Sequence, residues 1–192
     1  MANPEPNRDL TGNLIPREGF IYDILMRAYD TSFWKTITGV PSIASNKIRL
    51  NADTCASYYQ IIKGEVDIPV NVPTTPSSGE AKKWGLLNPG DPTKGSMYFE
   101  IVGAVLNAVS YDNGGTVQTT AITTDFPGAA AEYIYTIEWG DDYVNFLISG
   151  VVVATHTTRV GSIPQAVYLH NADADNTDFG SIKVKSAGKI IG

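Results

Sequence analysis

The sequence predicts an all-β protein, an antiparallel β-sandwich, and three observations carry that prediction. Apolar and aromatic residues alternate with polar ones in short segments, most clearly over residues 133–139, as they do in strands that bury one face. Turn-forming sequences separate the segments, for example Gly140-Asp141-Asp142 and Asp112-Asn113-Gly114-Gly115. The 192 residues also include 18 glycines and 11 prolines, which suits many short strands joined by turns.

Two regions are expected along the chain. Residues 1–17 are polar, interrupted by proline and without periodicity, so we interpret them as an N-terminal arm that lies across a neighbouring subunit or against its own domain. Residues 18–192 show no internal repeat and no interdomain linker, which predicts a single domain. Within 18–37 the apolar residues recur at helical spacing, which favours a short helix or an irregular segment.

The remaining elements are predicted as strands. Pro69 lies inside one of them and cannot donate a ladder hydrogen bond, which predicts that this strand is bulged or lies at a sheet edge. Asn113-Gly114 predicts a tight hairpin, because both residues tolerate positive φ angles. The predicted strands cover residues 42–50, 57–72, 83–87, 97–102, 104–111, 116–123, 133–139, 144–148, 151–154, 165–170 and 179–185.

The stretch from 133 to 171 carries a resemblance to a known superfamily. A Tyr-x-Ile-x-Trp phrase is followed by Val-x-Phe-x-x-x-Gly, then by a proline and a hydrophobic strand that ends in asparagine. This order resembles the concanavalin A-like lectin/glucanase superfamily of jelly rolls, including its laminin G-like members. The resemblance implies a jelly-roll sandwich and says little about activity. Its positions here are Tyr135, Ile137, Trp139, Val144, Phe146, Gly150, Pro164 and Asn171.

Composition and charge limit the partners. The formal net charge is −6, and all of it lies in residues 97–192, which hold four basic and ten acidic residues. No basic residue lies between Lys94 and Arg159, which argues against nucleic acid and anionic membranes as partners. No apolar run reaches the roughly 20 residues that a membrane helix takes, and the first residues do not read as a secretory signal. The lone Cys55 predicts no internal disulfide.

The sequence lacks the complete acidic motif that glucanases of this superfamily use for catalysis. Glucanases of this type place acids at alternate positions of one strand, as in Glu-x-Asp-x-Glu, so that the carboxylates share a face. The nearest match is Glu65-Val66-Asp67, which lacks the third acid. The histidines, His156 and His170, belong to no nucleophile motif, and a Ser–His–Asp site is neither selected nor eliminated. We therefore expect no catalytic residues and no enzyme.

Calcium is the one cofactor that the sequence suggests. The loop 171–178 is rich in Asp and Asn, whose oxygens Ca²⁺ prefers, and we predict Asp173, Asp175 and Asp178 as ligands. The turns at Asp112 and Asp141 offer a second, similar set. The alternative is that these residues only serve turn geometry. For glycan binding, the candidate aromatic residues are Trp84, Tyr98, Tyr111, Tyr133 and Tyr168.

These observations lead to a non-catalytic expectation for function. We expect a structural or surface module of a virion, such as a bacteriophage capsid decoration, head-fibre or tail protein, assembled in the host cytoplasm. Its expected partners are other virion proteins and further copies of itself, with no nucleic acid and no membrane. The alternative is a soluble, lectin-like glycan-binding module that depends on calcium.

Overall fold

The structure is an antiparallel β-sandwich, which confirms the predicted fold class. It is a computed structural model that describes residues 21–24, 34–72, 81–123, 131–157, 160, 163–186 and 190–191. The predicted arm, residues 1–17, lies outside the described residues. Seventeen strands are found in the described segments, and every pairing between them is antiparallel. None of these segments contains a helix with the length and apolarity that a membrane crossing takes.

One sheet has nine strands. Its order is β13-β12-β11-β6-β15-β4-β3, and β16 also pairs with β6 and carries β1 on its other side. The strands are β1 (Ile21–Ile24), β3 (Ser42–Ala44), β4 (Lys47–Leu50), β6 (Gly64–Asn71), β11 (Glu132–Trp139), β12 (Val144–Ile148), β13 (Val151–His156), β15 (Thr177–Phe179) and β16 (Ile182–Ser186).

The other sheet has eight strands in the order β10-β9-β8-β7-β14-β5-β17, with β2 also paired to β5. The strands are β2 (Trp34–Thr38), β5 (Thr54–Ile61), β7 (Ala81–Leu87), β8 (Met97–Val102), β9 (Val105–Tyr111), β10 (Val117–Thr123), β14 (Gln165–Asn171) and β17 (Ile190–Ile191).

The core lies between the sheets and is built around aromatic rings. Trp84 and Phe99 come from the eight-stranded sheet and meet Tyr135 of the other sheet, with ring centroids 4.8 and 5.0 Å from it. Phe146 approaches Phe99 edge to face at 5.2 Å. Trp139 and Phe146, two positions of the superfamily phrase, lie on the neighbouring strands β11 and β12 of one sheet and not across the sandwich from each other. Because successive side chains of a strand point to opposite faces, every second residue of each strand points into this core and the others lie on the outer faces.

Pro69 does not lie on an edge strand. Its strand, β6, is internal, with β11 on one side and β15 and β16 on the other. The Pro69 carbonyl accepts the Gly180 N–H at 2.8 Å, and Gly180 lies in the break between β15 and β16. In an antiparallel ladder the N–H and C=O of one residue point to the same side. The N–H that Pro69 lacks would therefore point into this break, so the sheet loses no strand-to-strand hydrogen bond there.

The helix considered for residues 18–37 is wrong where the structure describes that segment. Ile21–Ile24 is a strand paired with β16. Residues 32–34 of the sequence favour the start of extended chain instead, and β2 does begin at Trp34 and pairs with β5. Residues 21–24 form a strand because β16 offers hydrogen-bond partners to their backbone, and the spacing of apolar residues in the sequence does not show such a partner strand. A tight turn follows β12, where Ser149 and Gly150 both have positive φ angles, of 50° and 83°.

Candidate functional site

The candidate site is the outer face of the eight-stranded sheet, meaning the face turned away from the core. Trp84, Phe99 and Leu169 point inward and are fully buried. Because side chains alternate along a strand, residues next to them in sequence lie on the outer face. This face brings together chemical groups from five strands that are distant in sequence.

One row across this face is polar, and we call it the polar ladder: Thr54, His170, Lys83, Glu100 and Asn107. The strand register places each of these residues directly opposite the next. Lys83 Nζ lies 2.8 Å from Glu100 Oε1, and their side chains are 28% and 19% exposed. The ladder therefore offers an ion pair that solvent and a ligand can still reach.

The next row is aromatic, and we call Tyr168, Gly85 and Tyr98 the tyrosine row. Gly85 is directly opposite both tyrosines. A Cβ at Gly85, whose φ is 156°, would lie 2.5 Å from the Met97 carbonyl oxygen and 2.6 Å from the Tyr98 Cα. The close approach of β7 and β8 thus requires glycine here, and it leaves a side-chain-free position between two rings. Lys83 Nζ lies 5.2 Å from the Tyr98 ring centroid, which ties the tyrosine row to the polar ladder.

His170 is held in place and kept neutral. Its Nδ1 lies 2.7 Å from the Thr54 hydroxyl, and its ring stacks on Tyr168 with centroids 6.0 Å apart. Burial lowers the pKa of His170 and the nearby Lys83 charge lowers it further, while Glu100 acts in the opposite direction. A neutral imidazole at pH 7 can accept a proton.

The tyrosines of this face stay protonated. Burial raises the pKa of Tyr98 well above its usual range, and Tyr111 adds to the effect. Burial likewise raises the pKa of Tyr168. Both phenols can therefore donate hydrogen bonds, which sugars with many hydroxyl groups accept.

Glu100 is the single carboxylate on the described strands of this sheet. Counting back from it by two residues along β8 reaches Tyr98 and then Ser96, where the Glu-x-Asp-x-Glu pattern would have acids. The acids that the sequence singled out, Glu65 and Asp67, lie on the other sheet. Glu65 forms an ion pair with Lys185, and Asp67 accepts the Thr136 hydroxyl at 2.6 Å.

His156 cross-connects the two sheets in the interior. Its Nδ1 lies 2.7 Å from the Ser110 hydroxyl and its Nε2 lies 3.0 Å from the Thr120 hydroxyl. Ser110 and His156 are fully buried, so a substrate does not reach this serine–histidine pair. Its role is to join β13 to β9 and β10.

The buried His156 predicts a pH dependence of stability. Burial lowers its pKa in the folded protein, whereas an unfolded histidine titrates near pH 6.5. Below about pH 6.5 the unfolded chain therefore binds more protons than the folded one, and the free energy of unfolding falls as the pH falls. Urea titrations at several pH values should show this decline, and His156→Gln should reduce it. An unchanged slope in the variant would contradict the assignment to His156.

The predicted calcium loop is tied to the chain's own cations. Lys82 Nζ lies 3.8 Å from Asp173 Oδ2 and donates to the Asp175 carbonyl oxygen at 3.3 Å. Arg49 binds both oxygens of Asp178, at 2.7 and 2.8 Å. A calcium ion would therefore compete with an ammonium and a guanidinium for these oxygens.

The described residues contain no group of three or more His, Cys, Asp or Glu arranged to hold a metal. In the second set considered, Asp141 pairs with Lys63, and Asp112 accepts the N–H groups of Gly114 and Thr116. Calcium at Asp173, Asp175 and Asp178 stays a prediction.

Sequence reasoning named part of this face and missed the rest. Of the five aromatic candidates, Tyr98, Tyr111 and Tyr168 lie in or beside the tyrosine row. Trp84 is in the core, and Tyr133 belongs to the other sheet. Lys83 and Glu100 were not singled out. The available signal was the alternation in β8, which puts Tyr98 and Glu100 on the same face.

Comparison with known proteins finds relatives by structure. No protein-family model matches the chain, and no curated protein sequence matches it. The fold is similar to that of the Bacillus licheniformis β-glucanase, with a TM-score of 0.70 and 13% identity over 87% of this chain and 97% of that chain. The catalytic domain of the Thermotoga maritima MSB8 laminarinase gives a TM-score of 0.68 and 13% identity, over 88% and 97% of the two chains. The Crh5 transglycosylase gives a TM-score of 0.68 and 16% identity, over 88% and 84%.

These neighbours correct our functional expectation. We took the jelly roll as a sign of a non-catalytic module, either a virion component or a glycan-binding lectin, and we expected no enzyme. The same fold over most of the chain is that of two glucanases and a transglycosylase, so that inference is wrong. The suggestion of a bacteriophage decoration protein has no support among these structures. What identities of 13–16% do show is the fold, a concanavalin A-like jelly-roll β-sandwich of the kind found in glucanases.

Proposed function

We propose that this protein is a glycan-processing enzyme whose active site is the outer face of the eight-stranded sheet. The observation that carries the proposal is the polar ladder, in which His170, Lys83 and Glu100 lie side by side next to the tyrosine row. A carboxylate, a neutral imidazole and the Tyr168 phenol thus share one partly exposed surface, and the Tyr98 side chain is buried beside them.

Glu100 supplies the negative charge that glycoside chemistry needs. The bond to the anomeric carbon breaks through a transition state that resembles an oxocarbenium ion, and a nearby carboxylate stabilises its positive charge. The ion pair with Lys83 fixes the position of the Glu100 carboxylate. A side chain held in this way loses little orientation when the substrate binds.

His170 is the proton-transfer group in this proposal. In the tautomer whose Nδ1–H donates to the Thr54 hydroxyl, Nε2 carries no proton and accepts one from an attacking water or sugar hydroxyl. His170 and Glu100 lie on strands on either side of β7, so their backbones are about 9.6 Å apart, two strand spacings. In the proposal, a sugar unit binds over Lys83 and Gly85 between these two strands.

The names of the structural neighbours support glycans as the substrate class. They include a laminarinase, a lichenase described as a β-1,3-1,4-glucanase, and a transglycosylase in complex with NAG. With one carboxylate on its described strands, the face does not have the paired carboxylates of the common hydrolytic mechanisms. The proposal is therefore of glycan cleavage or transfer with Glu100 and His170 as the reacting pair.

The first test is a substrate panel. The purified chain is incubated with β-1,3-glucan, mixed-linkage β-1,3-1,4-glucan and oligosaccharides that contain N-acetylglucosamine. New reducing ends report hydrolysis, and redistribution of chain lengths without new reducing ends reports transfer. We expect one of these two signals on at least one substrate. Binding without either signal, or no interaction at all, by a folded protein would overturn the proposal.

We predict that Glu100→Gln lowers the catalytic rate constant about 100- to 10,000-fold, as the loss of a positioned acid–base or charge-stabilising group does. The fold should survive, because the side chain lies on the outer face. The matched control is Glu138→Gln, which removes a carboxylate from the outer face of the other sheet. Equal activity in the two variants would remove Glu100 from the mechanism.

A further inference from the structure

A second constellation of reactive groups lies in the interior, at one end of β7 and β14. Lys82 and Asn171 are fully buried, and Asp173 is 5% exposed. Lys82 and Asn171 are directly opposite each other in the pairing of β14 with β7, so their side chains share the inward face. A lysine that is buried beside an amide and a carboxylate is uncommon, because each of these groups is costly to remove from water.

The contacts of the Asn171 side chain orient it toward Lys82. Lys82 Nζ donates to Asn171 Oδ1 at 3.0 Å, and the Asp173 N–H donates to the same oxygen at 3.0 Å. Asn171 Nδ2 donates to the Leu50 and Asp175 carbonyl oxygens, at 2.9 and 2.6 Å. The amide is therefore fixed on both sides, with a backbone donor on its oxygen.

The carboxylate of Asp173 forms a buried ion pair with Lys82. Its Oδ2 lies 3.8 Å from Lys82 Nζ, and its Oδ1 accepts the Asp175 N–H at 3.2 Å. Two buried ions lose their solvation, and a proton that moves from the ammonium to the carboxylate leaves two neutral groups. In its neutral form the Lys82 amine is a nucleophile, and it lies against a fixed amide.

From this geometry we propose that Lys82 and Asn171 join in an intramolecular isopeptide bond after the chain has folded. The neutral Nζ attacks Asn171 Cγ and forms a tetrahedral intermediate, whose negative charge on Oδ1 is stabilised by the Asp173 N–H. The proton held by Asp173 passes to Nδ2, and the C–N bond to Nδ2 breaks. The proton that Nζ gives up passes to Asp173, which is again the neutral acid, and its transfer to the departing ammonia gives ammonium and restores the carboxylate. One amine and one primary amide thus become one secondary amide and one ammonia, with no oxidant or cofactor.

This cross-link would tie β7 to β14, two central strands of the sheet that carries the candidate active site. Lys82 and Asn171 are 89 residues apart in sequence, so the bond would close a large loop. Lys83 and His170, the neighbours of the linked residues, belong to the polar ladder. The cross-link would therefore hold the register of the active-site face independently of noncovalent packing.

The test is the mass of the full-length chain, measured after denaturation, together with Lys82→Arg. Arginine keeps the positive charge at this position but does not provide the amine nucleophile. We expect the unsubstituted chain to weigh less than its sequence by one ammonia, and Lys82→Arg to show the full sequence mass. Peptide mapping should yield a branched peptide that joins the segments around 82 and 171.

The mass loss alone is not enough, because Asn113-Gly114 can also lose ammonia by forming a succinimide. That product does not depend on Lys82, so it would persist in Lys82→Arg and give no branched peptide. Lys185→Arg, at an exposed lysine, is the matched control and should keep the mass loss. Asp173→Asn tests the proton acceptor in a chain that retains both reacting groups, and it should carry the full sequence mass.

A folded, unsubstituted chain at its full sequence mass would overturn the proposal. A mass loss without the branched peptide would overturn it equally. Glycan turnover is measured separately, so failure of the cross-link leaves the proposed function standing, and the reverse also holds.

Discussion

Lys82→Met is expected to lower the free energy of unfolding by about 3–5 kcal/mol, the usual result of removing one partner from a buried ion pair. The Lys82 side chain is fully buried and that of Asp173 is 6% exposed. Methionine fills most of the volume but leaves Asp173 and the Asn171 oxygen without the ammonium. Urea unfolding followed by fluorescence of the three tryptophans measures the change.

The control for this prediction is an exposed ion pair. Lys63 Nζ lies 2.9 Å from Asp141 Oδ2, with side chains 40% and 82% exposed. Lys63→Met should therefore change stability by less than about 1 kcal/mol. Equal changes in the free energy of unfolding for the two substitutions would show that the buried ion pair of Lys82 stabilises the fold no more than an exposed one.

A double variant separates ion burial from cross-linking. Adding Asp173→Asn to Lys82→Met removes the stranded carboxylate, so stability should partly recover if the cost was an unpaired charge. A lost covalent bond would not be recovered in this way, because its contribution comes from restricting the unfolded chain. The two sources of stability thus give opposite results in the double variant.

The strands were predictable because their signal is local. Tyr135, Ile137 and Trp139 alternate with polar residues, and this period of two alone specifies which side chains share a face. Tight turns are equally local, as Ser149-Gly150 shows by its two positive φ angles. These signals lie within a few residues and need no knowledge of the partner strand.

Pro69 shows where local rules fail. Its missing N–H predicted an edge or a bulge, yet β6 is internal. The explanation is the break between β15 and β16 at Gly180, more than a hundred residues further along the chain. No pattern around Pro69 contains that information.

The candidate site failed to appear in the sequence for the same reason. Each member of the polar ladder comes from a different strand, and only the register places His170, Lys83 and Glu100 in a row. A search for acids at alternate positions of one strand found Glu65 and Asp67, which belong to the opposite sheet. The chemistry of this face is distributed across strands, whereas the motif we searched for is confined to one.

The Asp-rich loop has a partner that the sequence did not indicate. Calcium at Asp173, Asp175 and Asp178 was predicted, and the structure brings the Lys82 ammonium to Asp173 and Asp175. That lysine comes from β7, so its arrival depends on strand pairing. Calcium remains to be tested against it by titration with and without a chelator.

Phe99→Ala is expected to lower the free energy of unfolding by about 3–5 kcal/mol through loss of buried surface and creation of a cavity. Phe99 is fully buried and contacts two rings of the opposite sheet, with Tyr135 at 5.0 Å and Phe146 at 5.2 Å between centroids. A domain of this size is commonly stable by about 5–15 kcal/mol, so the variant should still fold at low temperature. Thermal and urea unfolding measure the loss.

The same substitution tests whether the core positions the candidate site. Phe99 points inward between Tyr98 and Glu100, which point outward, so a cavity beneath β8 loosens both residues of the active-site face. Val102→Ala is the matched control on this strand, because Val102 is 38% exposed and should change stability by no more than about 0.5 kcal/mol. If glycan turnover falls in Phe99→Ala under conditions where both variants are fully folded, packing beneath β8 sets the geometry of Glu100. If turnover is unchanged while stability drops, the ion pair with Lys83 alone holds the carboxylate in place.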